Sequence, residues 1–337
     1  MDRAPLDRRV IDEDVPLPRL QSGDPPDDAA FGRVAESGGR HAPPLAYALL
    51  EQQISALVTR IALARIGVLG TIDVDHQVNE VRVHYVEHGE GVPLIALHGA
   101  GVDHSDIEAA IEEVVPRVGY RRIYPDLPGM GRSTSGGLTC NDDVVTVLID
   151  FVDRVGAGPV LLVGQSYGAY LARGVVARRP DLVLGLALVC PVAEHSQDVP
   201  DPFVVRQDDD AYDELEPAQR ARFDDYFVVR TAANARRFRD HTWPGITLVD
   251  EEALGRIFAG WSLDIGSGTC SAPTLIVAGR RDSIVGYADS MRLLERYPRA
   301  TLAVLDDAGH ALMHEQPELL SALFGDWLDR ARGTQRA

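Results

Sequence analysis

The chain has 337 residues, 45% of them hydrophobic and 25% charged, enough to bury one large core or two modest ones. Its net charge of −18, with every basic residue an arginine, argues against nucleic acid and anionic membrane surfaces as partners. No apolar stretch suits a transmembrane helix, the N-terminus lacks the apolar core of a signal peptide, and Cys140, Cys190 and Cys270 have neither metal-like nor disulfide-like spacing, so a cytoplasmic protein is expected.

Residues 1–66 read as an N-terminal extension. Up to about residue 43 it is rich in Pro, Gly, Asp and Arg without a sustained period, the pattern of a disordered segment. Leu50, Ile54, Leu57, Ile61 and Ala64 then recur at helical spacing and predict a helix over about 45–66. Packing of that stripe on its own domain is the simplest use; a homo-oligomer contact through residues 45–67 and a cover over a site elsewhere are the alternatives.

From residue 71 short β-branched runs alternate with amphipathic segments. Strands are predicted at 81–89, 92–99, 121–127, 159–164, 182–189, 273–279 and 301–306, and helices around 105–117, 142–155, 169–179 and 288–297 and from about 317. Thr139, with Asp142 three residues on, resembles the N-cap of the second of these helices. The alternation implies an α/β fold with a mostly parallel central sheet and helices on both faces. Its core is assigned to residues 67–191 and 265–337. The rhythm breaks over 192–264, which holds five of the eight Phe and two of the three Trp and shows no strand pattern; it reads as a helical cap inserted between two strands. Its aromatic residues serve either as the cap's own small core or as a wall for an apolar ligand.

In a parallel sheet, ligands sit beyond the carboxyl ends of the strands. Ser166 falls there, in VGQSYGAY after the strand PVLLV, and so do Asp282 in GRRD, His310 in DAGH and the pair His98-Gly99. A G-x-S-x-G pentapeptide alone arises by accident in roughly one chain in ten of this length; four matched strand ends are far less accidental. A serine hydroxyl is a weak nucleophile that needs a base, and a neutral imidazole suits because its reference pKa lies near neutrality. The imidazole needs a carboxylate to fix its tautomer and stabilise the imidazolium. Ser166, Asp282 and His310 supply these three roles, with Gly164 and Gly168 leaving room for a sharp strand-to-helix turn. The oxyanion formed by attack on a carbonyl needs backbone donors, for which the Ala100 and Tyr167 N–H groups are the candidates, in loops carrying His98 and Gly99 and opening a helix respectively.

The segments HGAG (98–101), DLPGMGRS (126–133), GQSYGAY (164–170), GRRD (279–282) and DAGHALMHEQP (307–317) resemble the successive motifs of the α/β-hydrolase superfamily. The resemblance covers roughly residues 70–335, including the helical cap. It implies Ser166 as nucleophile, Asp282 as acid and His310 as base, and places Asp126 in a structural turn. Haloalkane dehalogenases and epoxide hydrolases carry Asp at the nucleophile position, unlike Ser166. Carbon–carbon bond hydrolases usually show Asn before the nucleophile and Trp after the catalytic His, where this chain has Gln165 and Ala311; the proline iminopeptidase pattern, with Trp after Ser, is not matched by Tyr167. His104 reads as a supporting or surface histidine, His314 lacks the further ligands of a metal site, and Cys190 reads as a buried thiol; no metal and no cofactor are expected.

The expectation is therefore a serine hydrolase acting through a Ser166 acyl-enzyme on a small ester, thioester or lactone with an apolar part. Acyl transfer or carbon–carbon bond hydrolysis by the same three residues, or a noncatalytic ligand-binding scaffold, are the rivals.

Overall fold

A computed structural model describes residues 72–192 and 198–335. The helix predicted over 45–66, and with it the oligomer contact, lies outside the described residues. The chain runs through β1 (Ile72–Val78), β2 (Val81–His88), β3 (Val92–Leu97), α1 (His104–Val114), β4 (Tyr120–Pro125), α2 (Asn141–Gly156), β5 (Val160–Gln165), α3 (Tyr167–Arg178) and β6 (Val183–Val189). Short elements follow: β7 (Arg206–Gln207), α4 (Pro217–Tyr226), β8 (Val229–Arg230), α5 (Ala232–Arg237), a π-helical turn at Phe238–Thr242, α6 (Trp243–Ile246) and α7 (Glu251–Ala259). β9 (Thr274–Gly279), α8 (Leu293–Arg296), β10 (Ala300–Leu305), α9 (Leu312–Glu315) and α10 (Pro317–Gln335) complete the order.

Eight strands form one sheet in the order β1-β2-β4-β3-β5-β6-β9-β10. β1 and β2 are antiparallel, β2 pairs antiparallel with β4, and every other neighbouring pair is parallel. All six residues of β5 are buried, as an apolar run flanked by strands on both sides and by helices on both faces requires. One face packs against α2 and α3 through Val144, Leu148, Phe151, Val152 and Val175; the other packs against α1 and α10 through Ile107, Ile111, Phe324 and Trp327. After β3 the chain steps to β4 on one side and then returns to β5 on the other. The order therefore reverses between β3 and β5, which opens a crevice at their carboxyl ends.

The structure differs from the sequence reading in four places. β1 is an additional strand: its Asp73 and Asp75 face outward at the sheet edge and dilute the apolar signal. Thr139 is not the N-cap of α2. That position is Cys140, which makes no side-chain cap bond, while the Asp143 carboxylate on the third helical residue reaches back to Thr139 N–H at 2.9 Å. The helix expected over 288–297 is broken into a 3₁₀ turn at Ala288–Met291 and α8. Finally, β7 and β8 pair as a two-residue parallel bridge inside the stretch where no strand was expected.

The aromatic residues of 192–264 mostly serve the cap itself. Phe223, Phe227 and Phe238 cluster with Leu215 and Ala235, Phe223 and Phe227 lying 4.7 Å apart. Phe258 and Trp261 pack instead on Tyr167 of α3, and Trp261 stacks on Tyr170 at 5.5 Å. Phe203 is half exposed. Of the five Phe, only Phe238 reaches the cleft described next, so of the two uses open to these residues most serve as core.

Candidate active site

Ser166 stands between β5 and α3 with φ 52° and ψ −116°, a left-handed conformation that a side chain rarely adopts. The turn exists because two glycines let backbone meet backbone. A Cβ on Gly164 would lie 2.5 Å from the Gly168 carbonyl oxygen, and one on Gly168 would overlap the carbonyls of Leu97 and His98 at the end of β3. Ser166 N–H is anchored on Val189 O of the neighbouring strand β6 at 2.9 Å, which fixes the strained residue in place.

His310 Nε2 lies 2.9 Å from Ser166 Oγ, and His310 Nδ1 lies 2.8 Å from Asp282 Oδ2. The other Asp282 oxygen accepts the Ile284 and Val285 N–H groups at 3.0 Å each. Asp282 is fully buried, which by itself pushes its carboxyl up; the His310 imidazole and the two backbone donors outweigh burial and hold it below the usual carboxylate range. The three side chains come from the carboxyl ends of β5, β9 and β10, which parallel pairing brings to one edge of the sheet.

His98 is a supporting group. It is fully buried, its Nε2 accepts Leu127 N–H at 2.9 Å, and its Nδ1 lies 2.7 Å from Gly99 O. Only the Nδ1–H tautomer satisfies both contacts, and burial lowers its pKa so that it stays neutral. The histidine thereby ties the 98–101 loop to the 126–133 loop. Asp126 organises the second loop: Oδ1 takes the His104 N–H and Nδ1 at 2.9 and 2.7 Å, and Oδ2 takes Arg132 N–H at 2.7 Å. His104 thus faces Asp126. His314 pairs with Asp106 at 3.1 Å, both buried, beneath the cap residue Thr242, whose hydroxyl donates to the same Asp106 oxygen at 2.6 Å. Cys190 is buried with its Sγ 3.7 Å from Gly309 O, and burial raises its pKa well above the ordinary thiol value, so it stays a thiol.

A cleft of about 360 Å³ lies over Ser166 and His310. Gly99, Ala100 and Gly101 form one wall, which puts the Ala100 backbone beside the nucleophile. Tyr167 follows Ser166 at the first position of α3, where backbone N–H groups have no partner within the helix, while its side chain turns into the core and donates to Asn141 Oδ1 at 2.7 Å. The cap supplies the roof: Arg222, Asp225, Tyr226, Phe238, Thr242, Ile246, Val249 and Glu251, with Ile284 from the loop after β9. The sequence reading missed two of the polar groups nearest the serine. Gln165 Nε2 sits 3.4 Å from His310 Nε2, and the Tyr226 ring lies edge-on to His310 at 5.7 Å. Gln165 was noticed only as a departure from another group's motif; Tyr226 carried no signal, because its place depends on how the cap folds back.

A doubly covered, mostly parallel sheet with a serine on a strained strand–helix turn, a histidine–carboxylate pair beside it and a helical cap above defines an α/β hydrolase. Residues 94–323 match the model of the alpha/beta hydrolase family, and the chain belongs to that family. It is 24% identical over 257 residues to an (E)-2-((N-methylformamido)methylene)succinate hydrolase of Acinetobacter baylyi, covering 74% of this chain and 95% of that protein. It is 26% identical over 291 residues to a 2-hydroxy-6-oxononadienedioate/2-hydroxy-6-oxononatrienedioate hydrolase of Pseudomonas putida, covering 74% and 92%. Among solved structures, an alpha/beta superfamily hydrolase from Oenococcus oeni PSU-1 superposes with a TM-score of 0.69 at 27% identity, over 77% of this chain and 99% of that one. Among the described residues no helix is long and apolar enough to cross a membrane.

Proposed function

We propose that the protein is a serine hydrolase that cleaves a small carbonyl compound, an ester, thioester or lactone with an apolar part, through an acyl-enzyme on Ser166. The observation that carries this reading is the pair of contacts from His310, 2.9 Å to Ser166 Oγ and 2.8 Å to Asp282, at the floor of an open cleft. His310 takes the hydroxyl proton as Ser166 Oγ bonds to the carbonyl carbon. The carbonyl oxygen becomes an oxyanion facing the Ala100 and Tyr167 N–H groups, each such donor being worth about 3 kcal/mol of barrier. The tetrahedral adduct collapses, His310 gives the proton to the leaving group, and the acyl group stays on Ser166. Water, deprotonated by His310, then attacks the acyl carbon and releases the acid with Ser166 restored. Asp282 stays ionised throughout and stabilises the imidazolium. The apolar preference rests on Phe238, Ile246, Val249 and Ile284 in the cleft lining.

A second reading is carbon–carbon bond hydrolysis of an anionic oxo compound; its anionic substrate is favoured by the two hydrolases named above, whose names specify dicarboxylates. It is also favoured by Arg222, which lines the cleft with no carboxylate partner among the described residues. Substrate profiling separates the two. Ser166-dependent turnover of p-nitrophenyl butyrate that exceeds turnover of vinylogous oxo-acids supports the ester reading; the reverse order, with Arg222→Ala raising KM for the oxo-acid, supports the second. An ester activity that survives in Ser166→Ala would overturn the mechanism in either form.

A further inference from the structure

The cap does more than roof the cleft. Tyr226, the last residue of α4, lines it together with Ser166 and His310. Among the described residues its hydroxyl has one hydrogen-bond contact, with Gln165 Nε2 at 3.5 Å, which is at the limit of a hydrogen bond. Gln165 Nε2 in turn makes, among the described residues, only long contacts, 3.4 Å to His310 Nε2 and 3.5 Å to His310 O. The Gln165 amide lies between His310 and the Gly99 wall, where a Cβ on Gly99 would overlap Gln165 Oε1, and the half-buried Tyr226 phenol stands beyond it on the His310 side. His310 is the group that protonates the leaving oxygen, so a donor beside His310 stands where a leaving group departs.

The segment that delivers Tyr226 is fastened to the histidine loop by one side chain. Glu315 Oε1 accepts the Val228 and Val229 N–H groups at 2.6 and 3.0 Å, and its Oε2 accepts Gly309 N–H at 2.7 Å. Val228 lies two residues after Tyr226, and Gly309 immediately precedes His310. The contact is tight: a Cβ on Gly309 would lie 2.7 Å from Val228 Cγ1. Glu315 is buried, and its carboxylate binds backbone amides from two parts of the chain that are about eighty residues apart in sequence.

We infer that Tyr226 is a substrate-facing hydrogen-bond donor for the leaving oxygen, and that Glu315 is the positioning residue that registers it against His310. This deepens the serine-hydrolase reading and rests on it. The proton that the leaving oxygen receives still comes from His310; Tyr226 donates a hydrogen bond and keeps its own proton. Burial, with nearby acids, raises the Tyr226 pKa well above that of free tyrosine, so the group stays a donor across the working pH range. Burial also raises the Glu315 pKa against the pull of its three amide donors. Protonation would replace an acceptor with an O–H and release one of the three amides, so the registration weakens as pH falls.

The test uses the full-length protein, Tyr226→Phe and Glu315→Gln, with p-nitrophenyl butyrate and phenyl butyrate as substrates and fluorophosphonate labelling as a separate reading of the triad. Tyr226→Phe is expected to label at a rate within about threefold of the wild type. It should lower kcat/KM about tenfold or more for phenyl butyrate, whose leaving group needs help, and much less for p-nitrophenyl butyrate. Glu315→Gln, in which the side-chain NH₂ displaces one accepted N–H, should lower kcat for phenyl butyrate with little change in KM. Equal losses on the two esters in Tyr226→Phe, or no loss on either, would overturn the role of Tyr226. A Glu315→Gln variant with wild-type kcat for phenyl butyrate would overturn the role of Glu315. A wild-type protein that takes no fluorophosphonate would instead remove the hydrolase reading on which both depend.

Discussion

Asp282 divides its two oxygens between different tasks: Oδ2 faces His310 Nδ1 at 2.8 Å, while Oδ1 accepts the Ile284 and Val285 N–H groups at 3.0 Å. The second task decides what an amide in this position would do. In Asp282→Asn the carbonyl oxygen must occupy the site of the two backbone donors, so the NH₂ points at His310 Nδ1. The imidazole is then forced to carry its hydrogen on Nε2, aimed at Ser166 Oγ, and can no longer accept the hydroxyl proton. The expected result is a fall of about 10⁴-fold in kcat for ester hydrolysis with a nearly unchanged fold, checked by steady-state kinetics beside circular dichroism.

The His104–Asp126 contact predicts a pH signature in stability. Burial alone would lower the His104 pKa, but the Asp126 carboxylate, with Asp103 and Glu108 nearby, outweighs it and raises the folded value above the ordinary 6.5. A raised histidine pKa means that its stabilisation is complete below the unfolded value and is lost as pH rises through the folded one. Wild-type thermal stability should therefore decline on going from pH 6 to pH 9 by more than that of His104→Gln. Parallel slopes for the two proteins in that window would sink the assignment.

Tyr167 has two separable roles. Its N–H is proposed for the oxyanion, whereas its hydroxyl donates to Asn141 Oδ1, and Asn141 Nδ2 in turn donates to Trp261 O at 2.6 Å. Tyr167→Phe removes the hydroxyl and leaves the backbone in place, so a buried amide oxygen loses its donor at a cost of about 1–3 kcal/mol. The variant should unfold at lower urea concentration and still label on Ser166 at a near wild-type rate. Labelling lost in step with stability would mean that the Asn141–Trp261 tie also shapes the reaction centre.

How far the sequence carried the account depended on the range of the forces involved. Ser166, Asp282 and His310 were legible because each follows the end of a recognisable apolar strand, and parallel pairing carries such ends to one edge. The sharp strand-to-helix turn at the serine was legible through Gly164 and Gly168, but not the positive φ of Ser166 itself. β1 was not: its alternation is intact, but Asp73, Asp75 and Gln77 at the outward positions leave an edge strand with too little apolar content to stand out. The Thr139 reading failed because the donor–acceptor direction was reversed: Asp143 reaches back to Thr139 N–H, and Thr139 caps nothing forward. The cap's Phe residues were counted correctly, but composition does not say which way a side chain faces, and Phe223, Phe227 and Phe238 pack mainly on one another. Tyr226 and Glu315 owe their places to contacts across some eighty residues of chain, which no local pattern encodes.

The most direct test of the central claim is intact-mass detection of fluorophosphonate labelling on the purified wild-type protein beside Ser166→Ala. A single adduct is expected on the wild type and none on the variant, because a serine within reach of a carboxylate-held imidazole is reactive enough to take the probe. An adduct that persists in Ser166→Ala, or a wild-type protein that stays unlabelled, would contradict that claim.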